Sequence, residues 1–426
     1  MTPYYSNSGI DLYHGDALEV VRGLPDESVH CTVTSPPYWA LRDYKKSGQW
    51  GLEPTPEQYL EHVVELYREI RRVLRKDGTA FINMGDGYAQ GGKAATQQEL
   101  SGNAERTESK NYETQAFAGY EGWNRSAGSA VSGLKPKDLI MMPARLALAL
   151  QADGWYLRSQ IIWAKSNPMP ESVTDRPTKS YELIYLLSRS NRYYYDADAV
   201  REKQAPLTAQ RARYGWNGIT DDVSGGARTG STFTRMAESG EPIGTIPTDG
   251  YRNQRDVWPI PTKPYTGPKK DKADHFATFP PEIPRRCIKA GTSEHGCCAE
   301  CGVPWKRLVE KTASTMNIRV RDAKHDRLDK KAGMPLGATA TQREITNYGK
   351  EDLGHRRTLG WEPTCECNAG EPVPCVVLDP FIGSGTTAEV AYNLRRKCIG
   401  IDISEDYLRD HCIPRVEKAT EQGVLL

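Results

Sequence analysis

Several things are scarce in this sequence. No apolar run among its 426 residues approaches the roughly 20 needed to cross a bilayer, so no membrane-spanning helix is expected. The chain opens "MTPYYSNSGIDLYHGD", without a basic stretch followed by an apolar one, so no secretion signal is expected either. Neither sign of charge dominates: 56 Lys and Arg stand against 55 Asp and Glu, a formal net charge of +1. Any contact with nucleic acid must then come from local clusters of charge. Without a signal, the ten cysteines are expected in a reducing compartment, where clustered thiols more often hold metal or pack than form disulfides. A cytoplasmic location follows as the expectation. No internal repeat is visible, and the length suits one large domain with insertions or two to three domains.

Residues 10 to 90 alternate strand and helix signals. "IDLYHGD" reads as a strand ending at Gly15-Asp16, "ALEVVRGLPDESV" as a short helix, and "HCTVTS" as the next strand. "TPEQYLEHVVELYREIRRVLRKDG" carries an N-cap Thr55, Pro56 at the first helical position and apolar residues at Leu60, Val63, Val64, Tyr67, Ile70 and Leu74. The pattern predicts a helix that stops at Gly78, followed by a buried strand in "TAFINMGDGY". That β-α-β-α-β rhythm argues for a parallel sheet with helices on its faces. Further on, "PARLALALQADGW" predicts a helix, and "YLRSQIIWAKS" and "YELIYLLS" predict strands.

Three stretches interrupt the pattern. Residues 90 to 135 are polar and rich in Gly and Ser, which predicts a long loop. Residues 201 to 270 hold 11 Lys and Arg against 7 Asp and Glu, with Tyr214, Trp216, Phe233 and Tyr251 interspersed. Residues 302 to 364 form a third polar insertion, including the basic run "IRVRDAKHDRLDKK". That run reads first as a solvated charged face and, more sharply, as a contact to a nucleic-acid backbone.

Two stretches carry chemistry. In "TVTSPPYWALRDY" a β-branched run stops against Pro36 and Pro37, which can neither continue a helix nor donate to a sheet ladder, and Tyr38 and Trp39 follow at once. A strand that ends in a rigid, donor-poor turn carrying a hydroxyl and rings reads as a site. In "CVVLDPFIGSGTTAEVAYNLRRKCIGIDIS" a short strand leads into a glycine loop, a helix and a second strand. Gly383 and Gly385 let backbone approach a ligand at a helix N-terminus, and Asp402 ends the second strand 19 residues after Gly383. An acid there commonly takes ribose hydroxyls, so the unit indicates a cofactor containing adenosine. The loop lacks a third spaced glycine for a pyrophosphate and a P-loop lysine, and Asp379 suits a cationic ligand better than a phosphate. S-adenosylmethionine meets those demands; a plain tight turn is the bland reading.

Together the two stretches resemble a known family. "TSPPYW" is similar to the catalytic motif of the amino-methyltransferases of DNA, and "LDPFIGSGTT" is similar to their cofactor motif. The catalytic motif comes first, a recognition region in the middle and the cofactor motif last, the permuted order of the β class. "IIWAKSNPMPESVTDRPTKSYELIYLLSRSNRYYYD" and "HFATFPPEIPRRCI" also resemble segments of this family, and the likeness covers roughly residues 8 to 90, 136 to 200 and 255 to 420. It implies an α/β fold, the S-adenosylmethionine-dependent, Rossmann-like doubly wound sheet. The expected sheet has seven strands, with the strand after the cofactor loop beside the one ending at Ser35. The chemistry then explains the first motif. An exocyclic amine is a poor nucleophile because its lone pair is delocalised into the ring, and it needs acceptors close and in line. Ser35 offers its hydroxyl oxygen, Pro36 its carbonyl held rigid by Pro37, and Tyr38 a ring to stack on a base flipped from the duplex. The resemblance places Gly383, Ser384, Gly385 and Thr386 in the cofactor loop, Asp402 on the ribose, Phe381 against the adenosine and Asp16 on the adenine amine. It also puts the segment from His275 to Pro280 near the methionine end. "NMGDGY" at 83 to 88 reads as packing or function equally.

Ser before Pro-Pro is found mostly in enzymes that methylate N4 of cytosine, and Asp in those that methylate N6 of adenine, so N4-cytosine is the expectation and N6-adenine the near rival. C5 methylation would need a nucleophilic Cys after a proline, whereas Cys31 lies upstream on a strand. A zinc-bearing DNA-binding protein without catalysis is the rival of another class, and RNA or protein amino-methylation a remote one. Cys298-x-x-Cys301-Gly302 and Cys365-x-Cys367 offer four thiolates for a closed structural zinc site, with Cys297 as the alternative ligand and reduced, packed cysteines as the plain reading. The expected organisation is a catalytic half at 1–90, an insertion at 91–135 and core at 136–200. A target-recognition insertion follows at 201–256, then core near the cofactor at 257–296. A Cys-rich, zinc-bound subdomain takes 297–370 and the cofactor-binding half 371–426. Double-stranded DNA is the expected partner, with a cognate restriction endonuclease as a further one.

Overall fold

The computed structural model describes residues 1–41, 46–89, 134–204, 251–263, 279–311, 356–368 and 370–423. Most of the three polar insertions, the aromatics Tyr214, Trp216 and Phe233, the run "IRVRDAKHDRLDKK" and residues 275 to 278 lie outside these. The chain divides into two compact units. The larger comprises Met1–Val200, Arg255–Lys306 and Trp361–Leu426; the smaller comprises Arg201–Gln254 and Arg307–Gly360.

The larger unit is built on a nine-stranded sheet. In chain order its strands are β1 (Tyr5–Asn7), β2 (Ile10–His14), β3 (Val29–Thr34), β4 (Leu74–Met84), β5 (Tyr156–Ala164) and β6 (Tyr181–Ser188). Two minor strands, β7 (Glu202–Lys203) and β8 (Tyr251–Arg252), form an antiparallel pair in the smaller unit. The sheet continues with β9 (Val257–Pro259), while β10 (Lys306–Lys311) and β11 (Arg356–Glu362) form a separate two-stranded sheet. The last two strands are β12 (Val376–Asp379) and β13 (Lys397–Asp402). The order across the large sheet is β1-β2-β13-β12-β3-β4-β6-β5-β9. β2, β13, β12, β3 and β4 run parallel to one another, and β6 reverses between β4 and β5.

Helices cover both faces. α1 (Ala17–Arg22), α2 (Pro56–Val73) and α3 (Met142–Ala152) bury Val20, Val63, Leu66, Ile70, Leu146 and Leu150 against Ala80, Ile82 and Met84 of β4. On the opposite face α4 (Glu282–Gly291) and α5 (Thr386–Asn393) pack Ile283, Ile288, Ala388 and Ala391 onto Cys31, Val33 and Phe81. β3 is buried along its whole length, as a strand covered on both faces must be. The chain closes with α6 (Glu405–Tyr407), a π-helical turn at Leu408–Cys412, and α7 (Ile413–Gln422).

Three expectations need correcting. The strand beside β3 is β12, the one before the glycine loop, in the register Val377↔Cys31 and Leu378↔Thr32. The helical crossover carries β13 to the other side of β12, against β2, which leaves the inner edge of β12 for β3. β1 and β9, too short to show as patterns, raise the count from seven strands to nine. The helix expected to stop at Gly78 ends at Val73, because Leu74 already pairs with Val29 in the sheet. The basic residue Arg75 is consequently buried in a strand.

Candidate active site and cysteine cluster

The strand order reverses between β12 and β3. From β12 the chain builds outward through α5 to β13, and from β3 it builds the other way through α2 to β4. The crevice outside the carboxyl ends at such a switch point is where open α/β sheets bind ligands. Both motifs stand there: Ser35 directly follows β3, and the glycine loop directly follows β12.

Asp379 ties the two together. It is 1% exposed, its Oδ1 accepts from Thr34 Oγ1 at 2.6 Å and the Phe381 N–H at 3.1 Å, and its Oδ2 accepts from Thr387 Oγ1 at 2.6 Å. Burial pushes its pKa up to about 6 against these donors. The expected partner of a cationic ligand is thus a pin between the end of β3, the loop and the start of α5.

The two loop glycines differ. Gly383 has φ +51° and open space where a side chain would stand, its nearest heavy atom being the Phe381 carbonyl oxygen at 4.0 Å, so its backbone is open to a ligand. Gly385, at φ +81°, is crowded instead: a Cβ would come 2.9 Å from Cys412 Sγ, so packing against the π turn requires this glycine. Arg415 Nη1 donates to Ser384 Oγ at 3.0 Å and to Thr386 Oγ1 at 2.5 Å, which turns both hydroxyls toward α7.

Asp402 closes the loop from the end of β13. Its Oδ2 accepts from the Gly383 N–H at 3.1 Å and its Oδ1 from the Ser404 N–H at 2.8 Å. Burial raises its pKa to about 6. The Gly15 N–H donates to the Asp402 carbonyl at 3.0 Å, which brings the end of β2 alongside. There Asp16 caps α1 through the Leu18 and Glu19 N–H groups and accepts from Trp50 Nε1 at 3.0 Å. Trp50 in turn meets the Phe381 ring edge-on, centroids 5.4 Å apart. Asp402, Asp16 and Phe381 therefore converge as expected, and Trp50 joins them unforeseen.

The Ser35 turn is braced from below. The Pro37 carbonyl accepts from Tyr59 Oη of α2 at 2.8 Å, while no donor reaches the Pro36 carbonyl among the described residues. Ser35 Oγ lies 3.3 Å from Tyr38 Oη, which also contacts Glu182 Oε2 at 2.8 Å and Asn83 Nδ2 at 3.0 Å. Lys165 Nζ pairs with Glu182 Oε1 at 2.7 Å. Sheet register brings these together: Glu182 stands opposite Trp163 and one residue from Tyr181, the partner of Ala164, so Lys165 lies beside it. Asn83, in the ambiguous "NMGDGY", enters this network, while Asp86 three residues on caps α3 by accepting from the Met142 N–H at 3.1 Å.

The cysteines gather at the other end of the sheet. Cys298, Cys301, Cys365 and Cys367 hold their sulfurs within 4.8 Å of one another. Gly302, at φ +71°, turns the first pair, and its N–H donates to the Cys298 carbonyl at 2.9 Å. The turn is anchored to the amino ends of two strands: Arg75 Nη1 donates to the Cys301 carbonyl at 2.6 Å and His30 Nε2 to the Gly302 carbonyl at 2.9 Å. Cys297, the alternative ligand, is 2% exposed and belongs to a separate group with His30 and Cys375. His30 has no free nitrogen there, since its Nδ1 accepts from the Val376 N–H at 3.0 Å. No disulfide joins any of the ten cysteines.

The model of a family described as DNA methylase matches residues 29–299 and 374–412. The Type II methyltransferase M.Cfr9I of Citrobacter freundii is 42% identical over 285 residues, covering 67% of this chain and 73% of that protein. The Type II methyltransferase M.SmaI of Serratia marcescens is 32% identical over 400 residues, covering 92% of this chain and 86% of that one. Among solved structures, the PvuII DNA methyltransferase (cytosine-N4-specific) matches with a TM-score of 0.48 at 14% identity, covering 99% of this chain and 93% of that one. No helix among the described residues is long and apolar enough to cross a membrane.

Proposed function

Because this chain belongs to the DNA methylase family, as a β-class amino-methyltransferase of DNA, we propose that it methylates the exocyclic N4 amine of cytosine in double-stranded DNA, with S-adenosylmethionine as donor. The observation that carries this reading is the meeting of the Ser35-Pro36-Pro37-Tyr38 turn with the Gly383 loop, pinned together through Asp379, Thr34 and Thr387 at the strand switch point.

The residues fit the cofactor. Gly383 leaves room for close approach, the Asp402 carboxylate suits ribose hydroxyls, and Phe381 with Trp50 and Asp16 forms a corner for adenine. When bound, S-adenosylmethionine supplies an electrophilic methyl group on a sulfonium. The chain does the rest. Tyr38 offers its ring to a flipped base, and Ser35 Oγ and the unengaged Pro36 carbonyl accept the hydrogens of the amine, drawing its nitrogen toward tetrahedral geometry. The choice of cytosine over adenine rests on the family resemblance, in which Ser before Pro-Pro goes mostly with cytosine N4 and Asp mostly with adenine N6. A cognate restriction endonuclease and a cytoplasmic location belong to the same reading.

The four clustered sulfurs complete it as a structural zinc site. Four thiolates on zinc at roughly 2.3 Å stand roughly 3.8 Å apart, which sulfurs already within 4.8 Å reach by small side-chain rotations. With four protein ligands no position is left for substrate, and the anchoring partners His30 and Arg75 lie at the strand ends away from Ser35.

Nucleoside mass spectrometry of DNA incubated with the protein and S-adenosylmethionine tests the function. N4-methylcytosine is expected. N6-methyladenine would keep the mechanism and overturn the base, and no methylated nucleoside on any DNA would overturn the reading.

A further inference from the structure

An acceptor made from a serine has a weakness that an aspartate lacks. A carboxylate can only accept, whereas a hydroxyl carries one proton on a freely rotating bond, and a proton aimed at the incoming amine would repel it. Around Ser35 the structure removes that freedom. Ser35 Oγ donates to Tyr38 Oη at 3.3 Å, and Tyr38 Oη donates to Glu182 Oε2 at 2.8 Å. Tyr38 Oη is also approached by Asn83 Nδ2 at 3.0 Å and by the Gly85 N–H, and with its one proton committed to Glu182 it can only accept from Ser35.

The direction of this chain is set at its buried end. Glu182 is held by Lys165 Nζ at 2.7 Å and Asn83 Nδ2 at 2.9 Å, with Lys179 adding a second positive charge nearby. Burial pushes its pKa up, but Lys165, Asn83 and Tyr38 outweigh that and hold it below the usual carboxylate value, so it is ionised and accepts only. Space is reserved for the arrangement: a Cβ on Gly85 would lie 2.8 Å from Tyr38 Cε2 and 3.4 Å from Glu182 Cδ.

Resting on the reading of Ser35 as the acceptor of the target amine, we propose that Glu182 is a positioning residue that acts through the Tyr38 hydroxyl. It orders the Ser35 proton inward and leaves the Oγ lone pairs facing the substrate. Tyr38 thus has two separable parts, a ring for the base and a hydroxyl for Ser35.

Single-turnover methyl transfer, measured beside the dissociation constants for S-adenosylmethionine and DNA, tests the proposal. In Glu182→Gln the new carbonyl must face Lys165, which only donates. The amide N–H then points at Tyr38 and reverses the chain, and the rate constant is expected to fall roughly 10- to 100-fold with both dissociation constants nearly unchanged. Tyr38→Phe keeps the ring and should lose as much. Because the two residues act in series, Glu182→Gln added to Tyr38→Phe should cost nothing more. A wild-type rate in Glu182→Gln, or losses that multiply in the double variant, would overturn the proposal. Should Glu182→Gln not fold, Tyr38→Phe decides alone, a wild-type rate again being the contrary result. A wild-type rate in Ser35→Ala would overturn the acceptor reading itself, an outcome distinct from failure of Glu182 alone.

Discussion

The two ends of the central sheet are put together by different means. At the carboxyl ends of β12 and β3, side chains bond side chains: Asp379 to Thr34 and Thr387, Tyr38 to Glu182 and Asn83. At the amino ends, side chains reach backbone: His30 and Arg75 hold the carbonyls of the cysteine turn, and four sulfurs face one another. The first pattern aims groups outward at a ligand and keeps buried charge beside it. The second fixes the path of the chain and exposes no open position for chemistry. One end therefore should respond to substitution in rate or affinity, and the other in stability.

The largest separation is expected at Ser35. Ser35→Ala should lower the methyl-transfer rate constant roughly 100-fold or more while its melting temperature and cofactor affinity stay at wild-type values. Next comes the metal. Elemental analysis should find one zinc per chain, and Cys298→Ser or chelation should lower the melting temperature by about 5–10 °C, since binding energy at such a site is folding energy. Gly385→Ala forces a Cβ to within 2.9 Å of Cys412 Sγ at positive φ, and calorimetry should show a loss of about 1–3 kcal/mol.

The smallest effect sharpens the comparison through pH. The raised pKa of about 6 for Asp402 means that its carboxylate protonates as pH falls through 6 and loses an acceptor for the ribose. Affinity for S-adenosylmethionine, followed by calorimetric titration, should fall between pH 7 and pH 5. Stability should move the other way. The folded-state values of about 6 for Asp379 and Asp402 exceed the unfolded value of about 3.8, so the folded chain takes up protons more readily and these two carboxyls destabilise it less as pH drops. Asp402→Asn should abolish the pH dependence of binding.

What the sequence disclosed follows from how local each feature is. The Pro-Pro stop after β3, the glycine loop, the N-cap at Thr55 and the two cysteine pairs are all written in a few adjacent residues, and each stands where expected. The bracing role of Asp379 was not legible because its partner Thr34 lies 345 positions away, and only the pairing of β12 with β3 brings them into contact. Glu182 and Lys165 sit in a segment with a visible family likeness. Their role depends on the register of β5 against β6, which periodicity does not give. Trp50 offered one signal, an aromatic in a Gly-rich turn after the catalytic motif, but nothing local ties it to Asp16 and Phe381. The end of α2 was overrun because "LRKDG" is as good a helix ending as a strand beginning, and pairing with Val29 decided it.

The claim that the two ends do separate work is tested most directly by single-turnover methyl transfer in metal-stripped protein, held well below its lowered melting temperature. A rate constant within about threefold of the metal-loaded protein is predicted, because among the described residues the cysteine turn touches no group of the Ser35 site. A rate that falls in step with metal loss, while fold and cofactor affinity persist, would contradict it.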